Sequence, residues 1–166
     1  MEQLDLFELD FSPVPASRRR SPGRVKSVPA RLYIDRFQEH REAYRYLQQV
    51  QKLHGAGTKT LVRSLLHWRD TVVDPIEASR APDGRIQVPP ELRPFLTDFT
   101  PLESRGNRIK HISARLYIDK WVEHREAYEF IQRQQRLHGE GNKTIVRAVL
   151  HYRDSLARVR KDTKND

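Results

Sequence analysis

An arginine followed two residues later by a tyrosine occurs twice in this chain, as Arg31 with Tyr33 and as Arg115 with Tyr117. Both pairs sit in the same hexapeptide, Ala-Arg-Leu-Tyr-Ile-Asp. A guanidinium offers a planar fork of donors that fits guanine O6 and N7, the commonest base-specific contact in duplex DNA. A tyrosine one pleat further along an extended chain can reach a base, a thymine methyl group or a phosphate. Pro29 and Ser113 hold the outward position before each arginine and differ, so two half-sites need not be read alike. The competing use of Arg31 is local: an ion pair with Asp35 or Glu39, with Tyr33 only packing.

A second constellation lies in Gly57-Thr58-Lys59-Thr60 and Gly141-Asn142-Lys143-Thr144, each opening an apolar stripe of helical period. Thr58 and Asn142 are suited to cap a helix. The unbonded N–H groups of a first helical turn, with the positive end of the dipole, form an anion site, to which Lys59 and Lys143 add charge. Thr60, Thr144 and, further along, Arg63 and Arg147 complete the candidate phosphate contacts. As caps alone, Thr58 and Asn142 would need no DNA.

Catalysis finds little to work with. There is no cysteine, which excludes disulfides, zinc ribbons and thiol chemistry. His40 and His124, His54 and His138, and His67 and His151 recur in pairs, but within a copy they lie on different helices, without the i, i+4 spacing of helical zinc sites. A tyrosine nucleophile at Tyr33 or Tyr117 would need a histidine cluster for metal or a much larger catalytic domain. The sequence therefore predicts no enzyme, no catalytic residue, no metal and no cofactor.

The hexapeptides belong to a longer duplication. Residues 27–70 and 111–154 align without a gap, and most positions are identical. Leu32 and Ile34 alternate with Arg31, Tyr33 and Asp35, the period of a strand with one buried face. Tyr44, Leu47, Val50 and Leu53 then recur at helical spacing up to His54-Gly55, a C-terminal signal. Leu61, Val62, Leu65, Leu66 and Trp68 mark a second helix, matched by Ile145, Val146, Val149, Leu150 and Tyr152. Each copy reads strand, helix, glycine turn, helix. A unit of about 45 residues buries too little apolar surface to stand alone, so the copies must fold together.

The domain plan is a disordered arm over 1–26, repeats over 27–70 and 111–156, a Pro-rich linker over 71–110 and a charged, fraying tail over 157–166. Within the linker, Pro89-Pro90-Glu91-Leu92 can start a short helix, with Leu92, Phe95, Leu96 and Phe99 covering exposed core. The formal net charge of +9 and pI near 10.1 point to a polyanionic partner, nucleic acid first. No apolar run approaches the ~20 residues of a membrane span. The acidic N-terminus is unlike a signal peptide, so a cytoplasmic protein is expected.

One strand per copy leaves backbone groups unpaired, and pairing the two antiparallel as a ribbon answers this. The fold class expected is mainly α with a two-stranded antiparallel ribbon, two ribbon-helix-helix repeats forming an intramolecular pseudo-dimer. The pattern resembles the ribbon-helix-helix superfamily of MetJ/Arc type. Its tandem single-chain form is similar to TraY-type conjugation accessory proteins, and its strand and turn to ParR-type partition proteins. The resemblance implies double-stranded DNA as partner, the ribbon in the major groove with base contacts from Arg31, Tyr33, Ser113, Arg115 and Tyr117, and phosphates gripped at the second helix. It implies a mobile-element repressor, a relaxosome or partition accessory, or a replication factor, with further association along DNA. Separately, Gln3-Leu4-Asp5-Leu6-Phe7 resembles the bacterial sliding-clamp-binding pentapeptide, which implies that Leu6 and Phe7 enter an apolar pocket with Gln3 at its rim. The alternatives are an adaptor that recruits the clamp and binds DNA non-specifically, or a helix-turn-helix regulator reading through Arg63 and Arg147.

Overall fold

The computed structural model describes residues 11–15, 25–86, 88–90, 93, 96, 99–103 and 108–164. Two nine-residue strands, β1 (Val25–Tyr33) and β2 (Ile109–Tyr117), pair antiparallel. β1 is followed by α1 (Gln38–His54) and α2 (Gly57–Trp68), and β2 by α4 (Val122–His138) and α5 (Gly141–Lys164). Between the halves, α2 runs into a π-turn (Arg69–Val73) and a short α3 (Asp74–Ala78). Pro75 accounts for that interruption: it has no N–H for the helical ladder, whereas the equivalent position in α5 is Val159 and the helix continues to Lys164. The helix thus extends over 157–164, part of the stretch expected as a charged tail.

The register carries the symmetry of the duplication. Pro29 lies opposite Ser113, two positions related by the 84-residue offset of the repeat, so every pair on one side of this point has its equivalent on the other. Pro29 costs no ladder bond that a central strand would need, because both strands are edges. Along β1, Val28, Ala30 and Leu32 are buried while Val25, Ser27, Pro29 and Arg31 are exposed. Ala114 and Leu116 face the same core. Beneath the strands, α2 packs on α5, and Leu61, Val62, Leu65, Ile145, Val146 and Val149 fill the centre. Gly55 and Gly139 end α1 and α4 in the left-handed region, φ 62° and 65°. Leu53, placed in the helical stripe by periodicity, is instead 64% exposed at the end of α1, and its equivalent Leu137 in α4 is 61% exposed.

The expected fold class, a two-stranded ribbon shared by two ribbon-helix-helix repeats as an intramolecular pseudo-dimer, does not hold, because the extended structure includes chain from outside both repeats. A third stretch, residues 12–14, lies antiparallel to residues 120–122: the Val14 N–H donates to Lys120 O (2.9 Å) and the Val122 N–H to Ser12 O (2.9 Å). Residues 100–102 do the same to residues 36–38, with Leu102 N–H to Arg36 O (2.8 Å) and Gln38 N–H to Thr100 O (3.0 Å). The two arms are themselves a repeat, Phe11-Ser12-Pro13-Val14 and Phe99-Thr100-Pro101-Leu102, at an offset of 88 rather than 84 residues. Each docks on the opposite half. The Ser12 N–H donates to Glu123 Oε2 (2.7 Å), the Thr100 N–H to Glu39 Oε2 (2.7 Å). Phe11 packs edge-on to His124 (4.9 Å) and Phe99 edge-on to His40 (4.8 Å). The duplicated unit is therefore arm, strand, helix, helix. Parts of the regions read as disordered arm (1–26) and linker (71–110) belong to this core: Phe11 and Val14 are buried, and Leu96 and Phe99 pack against it. Leu92 and Phe95 lie outside the described residues.

Candidate nucleic-acid interface

The outer face of the paired strands collects four of the expected base-contacting residues. Arg31 and Arg115 are exposed, and Tyr33 and Tyr117 are half-buried beside them. Ser113 holds the central register position opposite Pro29. Neither strand contains an aspartate or glutamate. The local carboxylates that might have claimed Arg31 are engaged elsewhere. Asp35 pairs with Arg41 (3.2 Å), whose Nε also donates to Ile34 O (2.7 Å), and Glu39 takes the Thr100 hydroxyl (2.6 Å). The second copy repeats the clasp: Arg125 pairs with Asp119 (2.9 Å) and donates to Ile118 O (2.7 Å). Among the described residues, no carboxylate lies within ion-pair distance of Arg31 or Arg115.

Register brings in two residues that sequence reasoning missed. His111 lies across from Arg31, and Ser27 across from Arg115, both exposed. Period-2 alternation puts them on the outer face. Only the register, invisible without the partner strand, pairs them with the arginines.

His40 and His124 position the tyrosines. The Tyr33 N–H donates to His40 Nδ1 (3.2 Å) and the Tyr117 N–H to His124 Nδ1 (3.1 Å), tying each strand end to the following helix. Burial pushes both histidines down to about 4, against the opposing pull of Glu39 and Glu123. His67 and His151, equivalent in the two copies, meet at the α2–α5 contact with ring centroids 5.1 Å apart, and burial lowers both. These histidines serve the structure, and among the described residues no three His, Asp or Glu converge on a metal site.

The expected phosphate grip needs revision. α2 begins at Gly57 and its N-cap is Ala56, so Thr58 is already inside the helix and makes no cap. Instead Gln51 of α1 reaches over: the Gly57 N–H donates to Gln51 Oε1 (2.9 Å), and the Gly141 N–H to Gln135 Oε1 (3.0 Å). A Cβ at either glycine would lie 2.8 Å from that oxygen, so a larger residue would displace the glutamine side chain from the N–H it caps. Thr60 and Thr144 are buried and cannot touch a phosphate. Their N–H groups donate to Ala56 O and Glu140 O. Thr58, Lys59 and Asn142 are half-buried and Lys143 is exposed, so these four remain at the surface. Arg63 and Arg147 lie under the arms, their guanidinium carbons 5.3 Å from the Phe11 ring and 5.5 Å from the Phe99 ring, and Arg147 also meets Glu140 (3.8 Å). Both guanidiniums pack against the arms, Arg63 half-buried and the Arg147 side chain 12% exposed.

Between α1, the start of α2 and β2 lies an open groove of about 820 Å³, where Lys52, Thr58, Lys59, Arg115 and Tyr117 line one cavity. The strand and helix-start candidates thus adjoin across the two copies. The equivalent groove between β1 and α4–α5 is about 300 Å³, with Pro29, Gln135 and Asn142 in its wall. Gln3, Leu4, Asp5, Leu6 and Phe7 lie outside the described residues.

Among the described residues no helix is long and apolar enough to cross a membrane. Comparison with known proteins finds no match among family models, curated proteins or solved structures.

Proposed function

We propose that this protein is a non-enzymatic, sequence-specific binder of double-stranded DNA, using the outer face of the paired strands in the major groove. The observation that carries the reading is the pair of exposed arginines, Arg31 and Arg115, on a surface whose two strands hold no carboxylate and whose neighbouring acids are bonded elsewhere. Paired antiparallel strands can enter the major groove, where guanine presents O6 and N7 to a guanidinium. In the register Arg115 lies across from Ser27, four residues from Arg31. That is roughly 13 Å along the strand, so the two arginines are suited to base pairs about four steps apart. Lys59 and Lys143 at the starts of α2 and α5 supply phosphate contacts, which hold the register without reading sequence.

The test separates the two kinds of contact. Arg31→Ala or Arg115→Ala should cost about 1–3 kcal/mol on the selected duplex and relax preference at one base pair. Lys59→Ala should weaken cognate and random duplex by the same factor and lower the salt dependence. Titrations of labelled duplexes read both. Equal losses on cognate and random DNA for the arginine variants would sink the proposal.

A further inference from the structure

We infer that the protein reads a DNA element without dyad symmetry and binds it in a single orientation, with His111 and Ser27 as the residues that set its polarity. This rests on the duplex-binding reading above. In a dimer of identical chains the two halves of such a surface carry the same residues. Here one chain supplies both halves, and each is free to change alone.

The register shows where change has occurred. Positions 84 residues apart are equivalent, so the arginines, Tyr33 with Tyr117, and Lys59 with Lys143 match. Their neighbours do not. Arg31 works beside His111, whose imidazole offers a donor, an acceptor and a ring. Arg115 works beside Ser27, a short hydroxyl that reaches less far. At the centre proline faces serine, and at the helix starts Thr58 stands where the other half has Asn142.

The grooves flanking the two halves differ as well. The one beside Arg115 is about 820 Å³ and lined by Lys52 and Lys59, and its counterpart is about 300 Å³. The conserved groups fix a guanine-type contact in both half-sites, and the divergent ones select different flanking bases. His111 also carries the larger surface to a base edge, so its half-site should be the more sharply defined.

The experiment starts from selection of bound duplexes out of a random library with the full chain. The expected consensus contains two guanine-centred half-sites with unlike flanks. Two artificial inverted repeats, each doubling one half-site, are then compared with the selected element. Each should bind roughly tenfold more weakly, the loss expected from one mismatched base pair. His111→Ser makes the outer-face neighbours of both arginines alike. It should reverse the ranking, favouring the inverted repeat built from the half-site that Arg115 and Ser27 read. A palindromic consensus, or a His111→Ser variant that weakens all three duplexes equally, overturns the inference and leaves duplex binding standing. A library from which no sequence is enriched overturns the DNA reading and this one with it.

Discussion

Histidines at positions 40 and 124 show how little a residue type says about chemistry before its neighbours are known. Each accepts a strand-end N–H through Nδ1 and is held neutral by burial, at about 4 against an ordinary 6.5. Between those values the unfolded chain binds protons that the folded chain does not. Stability is therefore complete above pH 6.5 and is lost as pH falls towards 4, at up to about 1.4 kcal/mol per pH unit for each histidine. His67 and His151, also lowered, add in the same direction. Urea denaturation between pH 7 and pH 5 should show the midpoint falling. In the double variant His40→Asn, His124→Asn, which keeps an acceptor near the Nδ1 position without a titrating ring, the slope should be markedly shallower. An unchanged slope would assign the acid sensitivity elsewhere.

At the level of elements, the arms are the part of the fold the sequence hid. Phe11 and Phe99 each join an arginine of one half to a histidine of the other. Replacing buried Phe11 with alanine should remove about 3–4 kcal/mol and replacing half-buried Phe99 should remove less; a loss under about 1 kcal/mol for Phe11→Ala in chemical denaturation would contradict the docking. The strand faces were legible, because alternation of apolar and polar residues over Arg31–Ile34 leaves one assignment. The arms were not. They share only Phe and Pro across four residues, and four fewer residues separate arm from hexapeptide in the second copy, which shifts them out of the gapless alignment. The helix starts failed for a different reason. With α2 beginning at Gly57, Thr60 is a helical residue one turn before buried Ser64 and next to buried Leu61, so it lies on the inward face. A glutamine reaching over from the preceding helix has no sequence signature, so the pattern points to Thr58 and Asn142 where Gln51 and Gln135 supply the acceptor.

For the molecule as a whole, the reciprocal docking predicts one cooperative unit built from two halves that cannot stand apart. Leu32 and Leu116 are fully buried under strands contributed by both halves, and His67 meets His151 across the central helix pair. Separating the copies would expose these contacts together with both arm grooves, and neither half retains an arm for its own groove. The turn at Asp83–Gly84 is exposed and lies between the halves, with Gly84 at φ 85°. A protease site inserted there should be cut without dissociation, because strand pairing, the α2–α5 contact and two exchanged arms still hold the pieces. The nicked protein should elute as one species and melt in a single transition at a lower temperature, since cutting the connection raises the entropy of the unfolded state. Each purified fragment alone should lack cooperative unfolding and regain it on mixing with the other in equal amounts. Two separate transitions in the nicked protein, or a fragment that melts cooperatively alone, would mean that the halves are independent domains, and the exchange of arms would then be no part of what makes either one fold.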